Sequence, residues 1–388
     1  MGDTKRELKE KDKQRNKDLK KVKRFNAKVY RRFARKQHRR VPESRYKTTM
    51  KNPENVLEID GLHTYFYTDI GTVRAVDGVT IEIPRGKTVG VVGESGCGKS
   101  VTSLSILRLL QEPQGQIAEG ELRFNIGDGE AIDLAKVPPK RMNSIRGNDI
   151  TMIFQEPMTT LNPVLTIGKQ LDEVVRYHNV DKLTSRMIKD RSIEMLETVG
   201  IANASGIYSM YPHELSGGMR QRVVIALALL CNPKLIIADE PTTALDVTIQ
   251  AQILELLKAL KDKVSASIMF ITHDLGVVAE TADFVVVMYA GRIVEQGTVY
   301  DIFHAPSHPY TIGLMKSRPS DAIGEESLYS IPGNVPSPIE LPDYCYFRNR
   351  CDMSVKACRG KYPSMLPLSD THEVACYRYI KIGSEANG

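Results

Sequence analysis

Residues 93–100 read Gly-Glu-Ser-Gly-Cys-Gly-Lys-Ser, directly after the apolar run Thr-Val-Gly-Val-Val at residues 88–92. This order is typical of the G-x-x-x-x-G-K-[S/T] phosphate-binding loop, which lies between a buried strand and a helix. The apolar run predicts the strand, and residues 99–110 predict the helix. The stretch therefore predicts an α/β fold of the phosphate-loop class, with a nucleotide as its ligand.

The residue types of the loop explain how it would hold phosphates. Gly93, Gly96 and Gly98 allow a tight backbone turn, so that successive N–H groups and the positive end of the following helix surround the anion. Lys99 can reach the β- and γ-phosphates, and Ser100 can supply a hydroxyl ligand to Mg²⁺. The other residues predicted to line this nucleotide site are Glu94, Ser95, Cys97 and Val101.

The composition of the chain limits the class of protein to which it can belong. Its 388 residues, of which 41% are hydrophobic, can form two or three domains with a buried core. Its apolar stretches are shorter than the roughly 18 residues of a membrane-spanning helix, and its N-terminus is charged. We therefore expect neither a membrane span nor an export signal.

The basic residues are concentrated at the N-terminus. Residues 1–50 hold 20 Lys and Arg but six Asp and Glu, whereas the whole chain carries a net charge of +6. Such a segment has too little apolar surface to offset its ordering entropy, so we expect a flexible basic extension over residues 1–55. Contact with anionic lipid headgroups is a second interpretation, and contact with RNA is a third.

Polar residues follow three apolar runs that we predict to be strands, at residues 150–154, 235–238 and 267–272. Asp239 and Glu240 come after one run, Gln155 after another and His273 after a third. In open α/β sheets the carboxyl ends of parallel strands form the ligand side. A carboxylate there can hold Mg²⁺, and the next carboxylate can polarise a water for attack. A lone histidine is more often structural, but this one closes a strand on the same side.

Three further stretches of the sequence have informative patterns. Phe66 lies 27 residues before Gly93 in an aromatic triplet, where it could stack on a base or pack in the core, and both interpretations remain open. Residues 166–200 have a helical periodicity that predicts a small helical subdomain. Leu-Ser-Gly-Gly-Met-Arg-Gln follows at residues 215–221, directly before an apolar helix.

Between residues 56 and 303, these motifs resemble those of the ATP-binding-cassette (ABC) ATPases in order and spacing. The resemblance implies the ABC nucleotide-binding domain fold, with a RecA-like core, an antiparallel β subdomain and a helical subdomain. By this resemblance Phe66 stacks on adenine and His273 contacts the γ-phosphate. Asp239 holds Mg²⁺ through water, and Gln155 senses Mg²⁺ and the attacking water. Glu240 is the general base.

The resemblance also implies a second ATPase subunit. Residues 215–221 resemble the family signature, in which Ser216 and Gly218, with Gly217 between them, face the γ-phosphate held by the other subunit. Ala-Leu-Asp at residues 244–246 would cross the interface between the subunits. A phosphate loop alone indicates a superfamily, whereas the loop together with the signature indicates this family.

Longer stretches resemble a narrower group, the ATP-binding subunits of oligopeptide and dipeptide importers. They are residues 154–163, 239–248, 271–280 and the Ser-His-Pro-Tyr-Thr motif at residues 307–311. Glu-Pro-Met-Thr-Thr at residues 156–160 resembles the D-type subunit more than its F-type partner. The resemblance implies ATP-driven peptide import, a heterodimer with an F-type ATPase subunit, two transmembrane permease subunits and an extracellular or periplasmic substrate-binding protein. It implies a location at the cytoplasmic face of the cell membrane, with no nucleic acid as partner.

Two alternatives stay open at this point. Nickel importers share much of the same sequence, so the cargo could be nickel. The basic extension and the cysteine-rich segment also suggest a soluble ABC ATPase that acts on ribosomes or nucleic acid. Such proteins usually carry two cassettes or a long coiled-coil insertion, and this chain has neither pattern.

The C-terminal part of the chain differs in composition. Prolines recur between residues 305 and 342 and predict an extended linker. The segment after it carries four cysteines separated by 5, 6 and 17 residues, namely Cys345, Cys351, Cys358 and Cys376. A segment this small needs cross-links or a bound metal to hold a fixed structure. In a chain without an export signal, metal ligation is favoured over disulfides.

The spacing of these thiols does not choose between zinc, an iron–sulfur cluster and unmetallated buried thiols. His372 is a candidate substitute ligand, whereas Cys97 and Cys231 are interpreted as packing residues. The segment resembles the C-terminal motif of the peptide-importer ATPases, which implies a four-iron four-sulfur (4Fe-4S) cluster. The predicted domains are the extension (1–55), the ABC ATPase domain (56–304), the linker (305–342) and a small Cys-rich C-terminal domain (343–388).

Overall fold

The computed structural model of the chain describes residues 2–37, 41–127, 129–155, 160–178, 182–242, 246–317, 329–339 and 341–380. Its helices are α1 (Gly2–Gln37), α2 (Lys99–Ile106), α3 (Pro139–Ile145), α4 (Ile167–Tyr177), α5 (Ser185–Thr198), α6 (Ala204–Tyr208), α7 (Gly217–Leu229), α8 (Val247–Val264), α9 (Leu275–Thr281), α10 (Val299–His304) and α11 (Pro309–Lys316). Its strands are β1 (Lys47–Thr48), β2 (Asn55–Thr68), β3 (Gly71–Pro84), β4 (Thr88–Val92), β5 (Gly115–Gly127), β6 (Glu130–Asp133), β7 (Ile150–Ile153), β8 (Leu235–Asp239), β9 (Ser267–Thr272), β10 (Phe284–Tyr289), β11 (Arg292–Thr298), β12 (Leu366–Pro367) and β13 (Glu373–Val374).

The larger sheet has the strand order β12-β13-β11-β10-β4-β9-β8-β7. Strands β4, β8 and β9 are buried along their whole length. Strands covered on both faces need nearly continuous apolar sequences, and that is why these runs do not alternate. The predicted strand over residues 88–92 and the one over residues 267–272 are confirmed at their predicted bounds.

The register of the parallel strands positions the site. Ile153 lies opposite Ala238, Asp239 opposite Ile271, and Thr272 opposite Val92. Strands β7, β8, β9 and β4 therefore end at one edge of the sheet. The residues that follow these strands, including the phosphate loop after β4, meet at that edge, as the strand-end rule predicts.

The smaller sheet is antiparallel, with the order β1-β6-β5-β2-β3. The alternating pattern of residues 56–59 and 79–83 predicts two short strands. In the structure these residues are parts of two strands of 14 residues each. Their inward side chains form one apolar cluster with β4 and α2. The phosphate loop thus lies between the two sheets and is supported from both.

The helical subdomain predicted over residues 166–200 contains α4 and α5. Thr166 and Thr184 cap these helices, because their side chains accept hydrogen bonds from the backbone N–H groups of Lys169 and Met187. The buried faces of α4, α5, α6 and α7 share one apolar core. This core fixes α7, the helix that begins with the signature glycines, to the sheet.

The N-terminal segment forms the helix α1 in the structure, where we expected a flexible extension. The Asn26 amide donates to the Thr68 carbonyl oxygen at 2.9 Å, and the Tyr30 hydroxyl donates to the Tyr67 carbonyl oxygen at 2.6 Å. The Phe25 ring lies 6.1 Å from the Tyr67 ring, measured between centroids. One face of the helix is therefore anchored on the end of β2, and the basic side chains between residues 13 and 35 are exposed.

The proline-rich segment is not extended throughout, as the sequence led us to expect, because α11 lies within it. Pro309 occupies the first turn of α11, where a missing backbone N–H costs no hydrogen bond. Tyr310, the next residue, is fully buried. The proline content therefore predicted an extended segment at a position where Pro309 begins a helix.

The cysteine-rich segment extends the ATPase sheet, whereas we expected it to form a small domain of its own. Strand β13 pairs with β11, with Val374 opposite Glu295, and β12 pairs with β13. Cys345, Tyr346 and Phe347 belong to the same apolar cluster as Tyr310. The segment is thus held to the domain by backbone hydrogen bonds and by a shared core.

A buried carboxylate, Asp77, joins the antiparallel sheet to the C-terminal segment. It accepts hydrogen bonds from the Arg292 guanidinium at 2.6 Å and from the hydroxyls of Tyr346 and Tyr65, each at 3.0 Å. Burial alone would raise the pKa of Asp77, but hydrogen bonds with His63 and Arg292 hold it well below its usual range. Asp77 thereby connects residues that are distant in sequence.

Replacing Asp77 with asparagine is expected to lower the free energy of unfolding by about 1–3 kcal/mol, because the half-buried Arg292 loses its anionic partner. The loss should be largest near neutral pH and shrink on acidification. A carboxyl with a depressed pKa contributes stability above its unfolded pKa and loses it as the pH falls through the folded pKa. Thermal melts at several pH values measure this, with the exposed Asp370→Asn as control. Equal melting temperatures for Asp77→Asn and wild type would contradict it.

Candidate active site

The phosphate loop has the backbone that its glycines predict. Gly96 and Gly98 have φ angles of 78° and 103°. A Cβ atom at Gly93 would lie 2.2 Å from the Met288 carbonyl oxygen, and one at Gly98 would lie 2.5 Å from the Ala75 carbonyl oxygen. A Cβ atom at Gly96 would face open space. Two of the glycines are therefore needed where the loop packs on the two sheets, and the third lies on the open side.

Lys99 presents an ammonium group whose hydrogen bonds go to neutral acceptors. Its Nζ atom donates to the carbonyl oxygens of Gly93 at 2.7 Å and Glu94 at 3.2 Å, and it lies 3.9 Å from the Cys97 sulfur. Burial raises the pKa of the Cys97 thiol, which keeps that group uncharged. The Lys99 charge is thus held inside the loop at the start of α2, where an anionic phosphate would neutralise it.

Ser100 and Asp239 lie together, as the metal-site prediction requires. The Ser100 hydroxyl donates to Asp239 Oδ1 at 3.1 Å. Burial raises the pKa of Asp239, and the neighbouring Glu240 charge adds to this rise. A hydroxyl and a carboxylate oxygen are ligands that suit Mg²⁺. The open cleft beside them is lined by Ser100, Leu104, Met152, Phe154, Gln155, Thr160 and Asp239.

Glu240 contacts the other two predicted catalytic residues. Gln155 Nε2 donates to Glu240 Oε2 at 2.8 Å, and His273 Nδ1 lies 3.3 Å from Glu240 Oε1. The backbone of Glu240 has a φ of 48°, a left-handed conformation that costs about 1–3 kcal/mol in a residue with a side chain. The hydrogen bond from its N–H to the Ile271 carbonyl oxygen, at 2.8 Å, helps to hold this conformation.

The signature residues lie at the beginning of α7. Ser216 caps the helix by accepting a hydrogen bond from the Met219 N–H at 3.3 Å, and Ser216 and Gly217 are exposed. A Cβ atom at Gly218 would approach Ile249 of α8 to 3.3 Å. The first turn of this helix is therefore open to a ligand held by another molecule.

Sequence reasoning gave no role to Gln221, the last residue of the signature. It is fully buried, and its side-chain amide donates to the Pro241 carbonyl oxygen at 2.5 Å. Gln221 thus joins the signature helix to the segment that follows Glu240. Asp246 caps α8 by accepting from the Ile249 N–H at 2.9 Å. Residues 244–245, which share its predicted interface role, and residues 156–159 lie outside the described residues.

The remaining predicted residues surround the loop or lie on β2. Ser95 is exposed, and Val101 packs on the apolar cluster beneath the loop. Phe66 lies on β2 opposite Val73 of β3, with its ring against Gly115. These positions leave the predicted stacking of Phe66 on adenine as a proposal.

The four cysteines of the C-terminal segment have free thiols and line one cavity, together with His308, Phe347 and Tyr377. Burial raises the pKa of Cys345 to about 11 and also raises the pKa values of Cys351 and Cys376. Over the described residues, no group of three or more His, Cys, Asp or Glu side chains is arranged to hold a metal ion.

The structure gives His372 a different role from the substitute metal ligand that we considered. His372 Nε2 lies 2.8 Å from Glu295 Oε1, and both side chains are buried. Glu295 also accepts hydrogen bonds from the backbone N–H groups of Ser307 and His308. His372 therefore belongs to the packing between β11 and β13, and His308 is the histidine that lines the cavity.

Sequence reasoning also missed two contacts to the phosphate loop. The Glu94 N–H donates to the Tyr310 hydroxyl at 2.8 Å, and the Glu94 carboxylate pairs with Arg350 at 2.7 Å and 3.0 Å. The Ser-His-Pro-Tyr-Thr motif contains the tyrosine, and Arg350 directly precedes a cysteine. Both residues were visible in the sequence, but nothing local connects them to the loop.

Comparison with known proteins defines the class. Residues 76–243 match the family model described as ABC transporter. The dimeric structure of the ABC transporter cassette MJ0796 resembles this chain with a TM-score of 0.55 at 26% identity, covering 63% of this chain and 98% of that one. The fold is that of an ABC transporter ATPase. Over the described residues, no helix is both long and apolar enough to cross a membrane.

The comparisons also define the narrower family. Residues 294–358 match the model described as oligopeptide/dipeptide transporter, C-terminal region. The oligopeptide transport ATP-binding protein AppD of Bacillus subtilis is 50% identical over 85% of this chain and 98% of its own length. The oligopeptide transport ATP-binding protein OppD of the same organism is 51% identical over 82% of this chain and 87% of its own length. The chain belongs to the family of ATP-binding subunits of oligopeptide and dipeptide ABC importers.

Proposed function

We propose that this subunit hydrolyses ATP with Glu240 as the general base. The contact of Glu240 with both Gln155 and His273, at the end of β8, is the observation that carries this proposal. Glu240 would accept the proton of the attacking water, which Gln155 orients, and His273 would contact the γ-phosphate. Phe66 would stack on adenine.

Ser100 and Asp239 would hold Mg²⁺, with Gln155 close to it. Their contact supports this assignment, since two oxygen donors already lie beside the loop. When bound, Mg²⁺ neutralises charge on the phosphates. The backbone N–H groups of residues 93–101 and the Lys99 ammonium would bind the phosphates themselves.

We propose that the signature acts on ATP held by a second, F-type ATPase subunit. The exposed first turn of α7, with Ser216, Gly217 and Gly218, supports this arrangement, and the structurally similar cassette MJ0796 is dimeric. Residues 244–246 would lie at the interface. Binding of ATP would close the pair and hydrolysis would open it, which would drive two transmembrane permease subunits at the cytoplasmic face of the membrane. An extracellular or periplasmic binding protein would deliver the substrate.

Peptide is the cargo that the comparisons favour, because the names of AppD and OppD both specify oligopeptide transport. The test is uptake by the transporter assembled with its partner subunits. We expect ATP-dependent uptake of labelled oligopeptides or dipeptides. Uptake of nickel without peptide would identify a nickel importer, and copurification with RNA or ribosomes instead of membrane subunits would overturn the importer assignment.

We propose further that Cys345, Cys351, Cys358 and Cys376 hold a 4Fe-4S cluster. Their arrangement round one cavity supports this proposal, since thiolates are the ligands of such clusters. A single zinc ion needs ligands that converge at about 2.3 Å. The described residues contain no group arranged to hold such an ion, so metal analysis of the purified protein decides between cluster, zinc and free thiols.

Anaerobic purification with iron, sulfide and zinc analysis tests the cluster. We expect about four irons and four sulfides per chain in the wild type. Cys351→Ser should lose them, while the matched control Cys231→Ser, far from the cavity in sequence, should keep them. One zinc per chain would show that the cysteines bind zinc instead of a cluster. A metal-free wild type would overturn the cluster and leave four free thiols.

A further inference from the structure

Two residues that follow α10 hold the same phosphate-loop residue, Glu94. The Tyr310 hydroxyl accepts the backbone N–H of Glu94 at 2.8 Å across 216 residues of sequence. The Arg350 guanidinium forms a bidentate ion pair with the Glu94 carboxylate, with N–O distances of 2.7 Å and 3.0 Å, across 256 residues of sequence. The backbone and the side chain of Glu94 are therefore both fixed from outside the loop.

Arg350 is itself fixed before it reaches the loop. Its Nε atom donates to the Pro332 carbonyl oxygen at 2.9 Å, and its Nη2 atom donates to the Ile331 carbonyl oxygen at 3.2 Å. The Arg350 side chain is 5% exposed and that of Glu94 is 27% exposed. A largely desolvated pair with two parallel charge-assisted bonds is stronger and more directional than a surface ion pair.

The Tyr310 side of this arrangement is equally rigid. Tyr310 is fully buried, and its ring lies 4.7 Å from Tyr289 and 5.4 Å from Phe347, measured between centroids. Phe347 lies three residues before Arg350 and also contacts Tyr289. The Arg350 guanidinium carbon lies 5.8 Å from the centroids of the same Tyr289 and Phe347 rings, so both groups that hold Glu94 pack on one aromatic cluster.

We propose that Tyr310 and Arg350 are positioning residues for ATP binding, which fix the first turn of the phosphate loop through Glu94. A loop with three glycines has high conformational freedom, and ordering it costs free energy. Contacts that order the loop before the nucleotide arrives reduce the cost of binding. The C-terminal segment therefore sets the ATP affinity of a loop that it does not belong to.

The test measures ATP affinity of the full chain with Mg²⁺, and ATPase kinetics of the assembled transporter. The variants are Arg350→Gln, Glu94→Gln and the double substitution. We expect each single substitution to weaken ATP binding about tenfold, within the usual range of coupling between sites. The double variant should be no weaker than either single variant, because all three remove the same pair. Arg350→Lys should recover part of the affinity.

A split in the kinetics separates positioning from general damage. We expect KM for ATP to rise in Arg350→Gln and in Tyr310→Phe, while kcat at saturating ATP stays within about twofold. The exposed Arg359→Gln is the matched control and should behave as wild type. Metal content is measured for every variant, so that a lost cofactor is not taken for a lost contact.

Additive losses in the double variant, or wild-type affinity in Arg350→Gln, would overturn the proposal. If Arg350→Gln fails to fold, Glu94→Gln decides, since it removes the same pair from the loop side, and wild-type affinity there would also overturn it. The proposal rests on residues 93–100 being the ATP site. Lys99→Ala tests that site separately, so the two failures can be told apart.

Discussion

Replacing Glu240 with glutamine is expected to lower ATP hydrolysis about 10³-fold while ATP binding remains near that of the wild type. The amide cannot accept a proton from water, and general-base catalysis typically contributes about 10²–10⁴-fold. Glutamine has the size of glutamate, and its side-chain oxygen can still accept the hydrogen bond from Gln155 Nε2. The left-handed backbone at this position is strained for either residue. The change therefore removes the proton acceptor with little change in shape.

The measurement for Glu240→Gln combines phosphate release by the assembled transporter with ATP binding by the same preparation. Glu255→Gln is the control, because Glu255 is exposed on α8 and the substitution is chemically identical. Hydrolysis reduced less than tenfold would show that another group accepts the proton. Loss of ATP binding together with hydrolysis would mean that Glu240 has a structural role.

Replacing Lys99 with alanine is expected to weaken ATP binding by about 2–5 kcal/mol, the usual cost of truncating one partner of a buried charged contact. The variant loses the only cationic side chain in residues 93–100 and leaves the carbonyl oxygens of Gly93 and Glu94 without this donor. This is a rise in the Kd for ATP of roughly 30-fold to 4,000-fold.

Equilibrium binding of ATP with Mg²⁺ by the full chain measures the effect of Lys99→Ala. Lys87→Ala is the control, because Lys87 lies just before β4 and its partner is the surface residue Asp283. Unchanged ATP affinity in Lys99→Ala would place the nucleotide elsewhere. A lower melting temperature with unchanged affinity would make Lys99 a structural residue.

Much of the site followed from local sequence. The glycine spacing predicted the loop, and four apolar runs predicted β4, β7, β8 and β9. The rule that parallel strands end at one edge then predicted that Asp239, Glu240, Gln155 and His273 would lie close together. The structure joins three of them by direct contacts. This prediction worked because each step depends on residue type or on the direction of a strand.

Other predictions were wrong at positions where contacts in the tertiary structure determine the role of the residue. Pro309 was predicted to lie in an extended linker, but it begins α11, and the next residue, Tyr310, is buried. His372 was a candidate substitute ligand for a metal, but buried Glu295 is its partner. The basic segment at the N-terminus forms a helix that three side chains anchor on β2.

By itself the sequence determined the class of this protein, the phosphate loop, the signature and the residues at the strand ends, since these depend on short motifs and on periodicity. Only the tertiary structure decided that β13 joins the ATPase sheet and that Tyr310 and Arg350 reach Glu94. The physical reason is that an ion pair or a strand pairing across more than 70 residues leaves no periodic trace in the chain. Such contacts exist only once the core has brought their partners together.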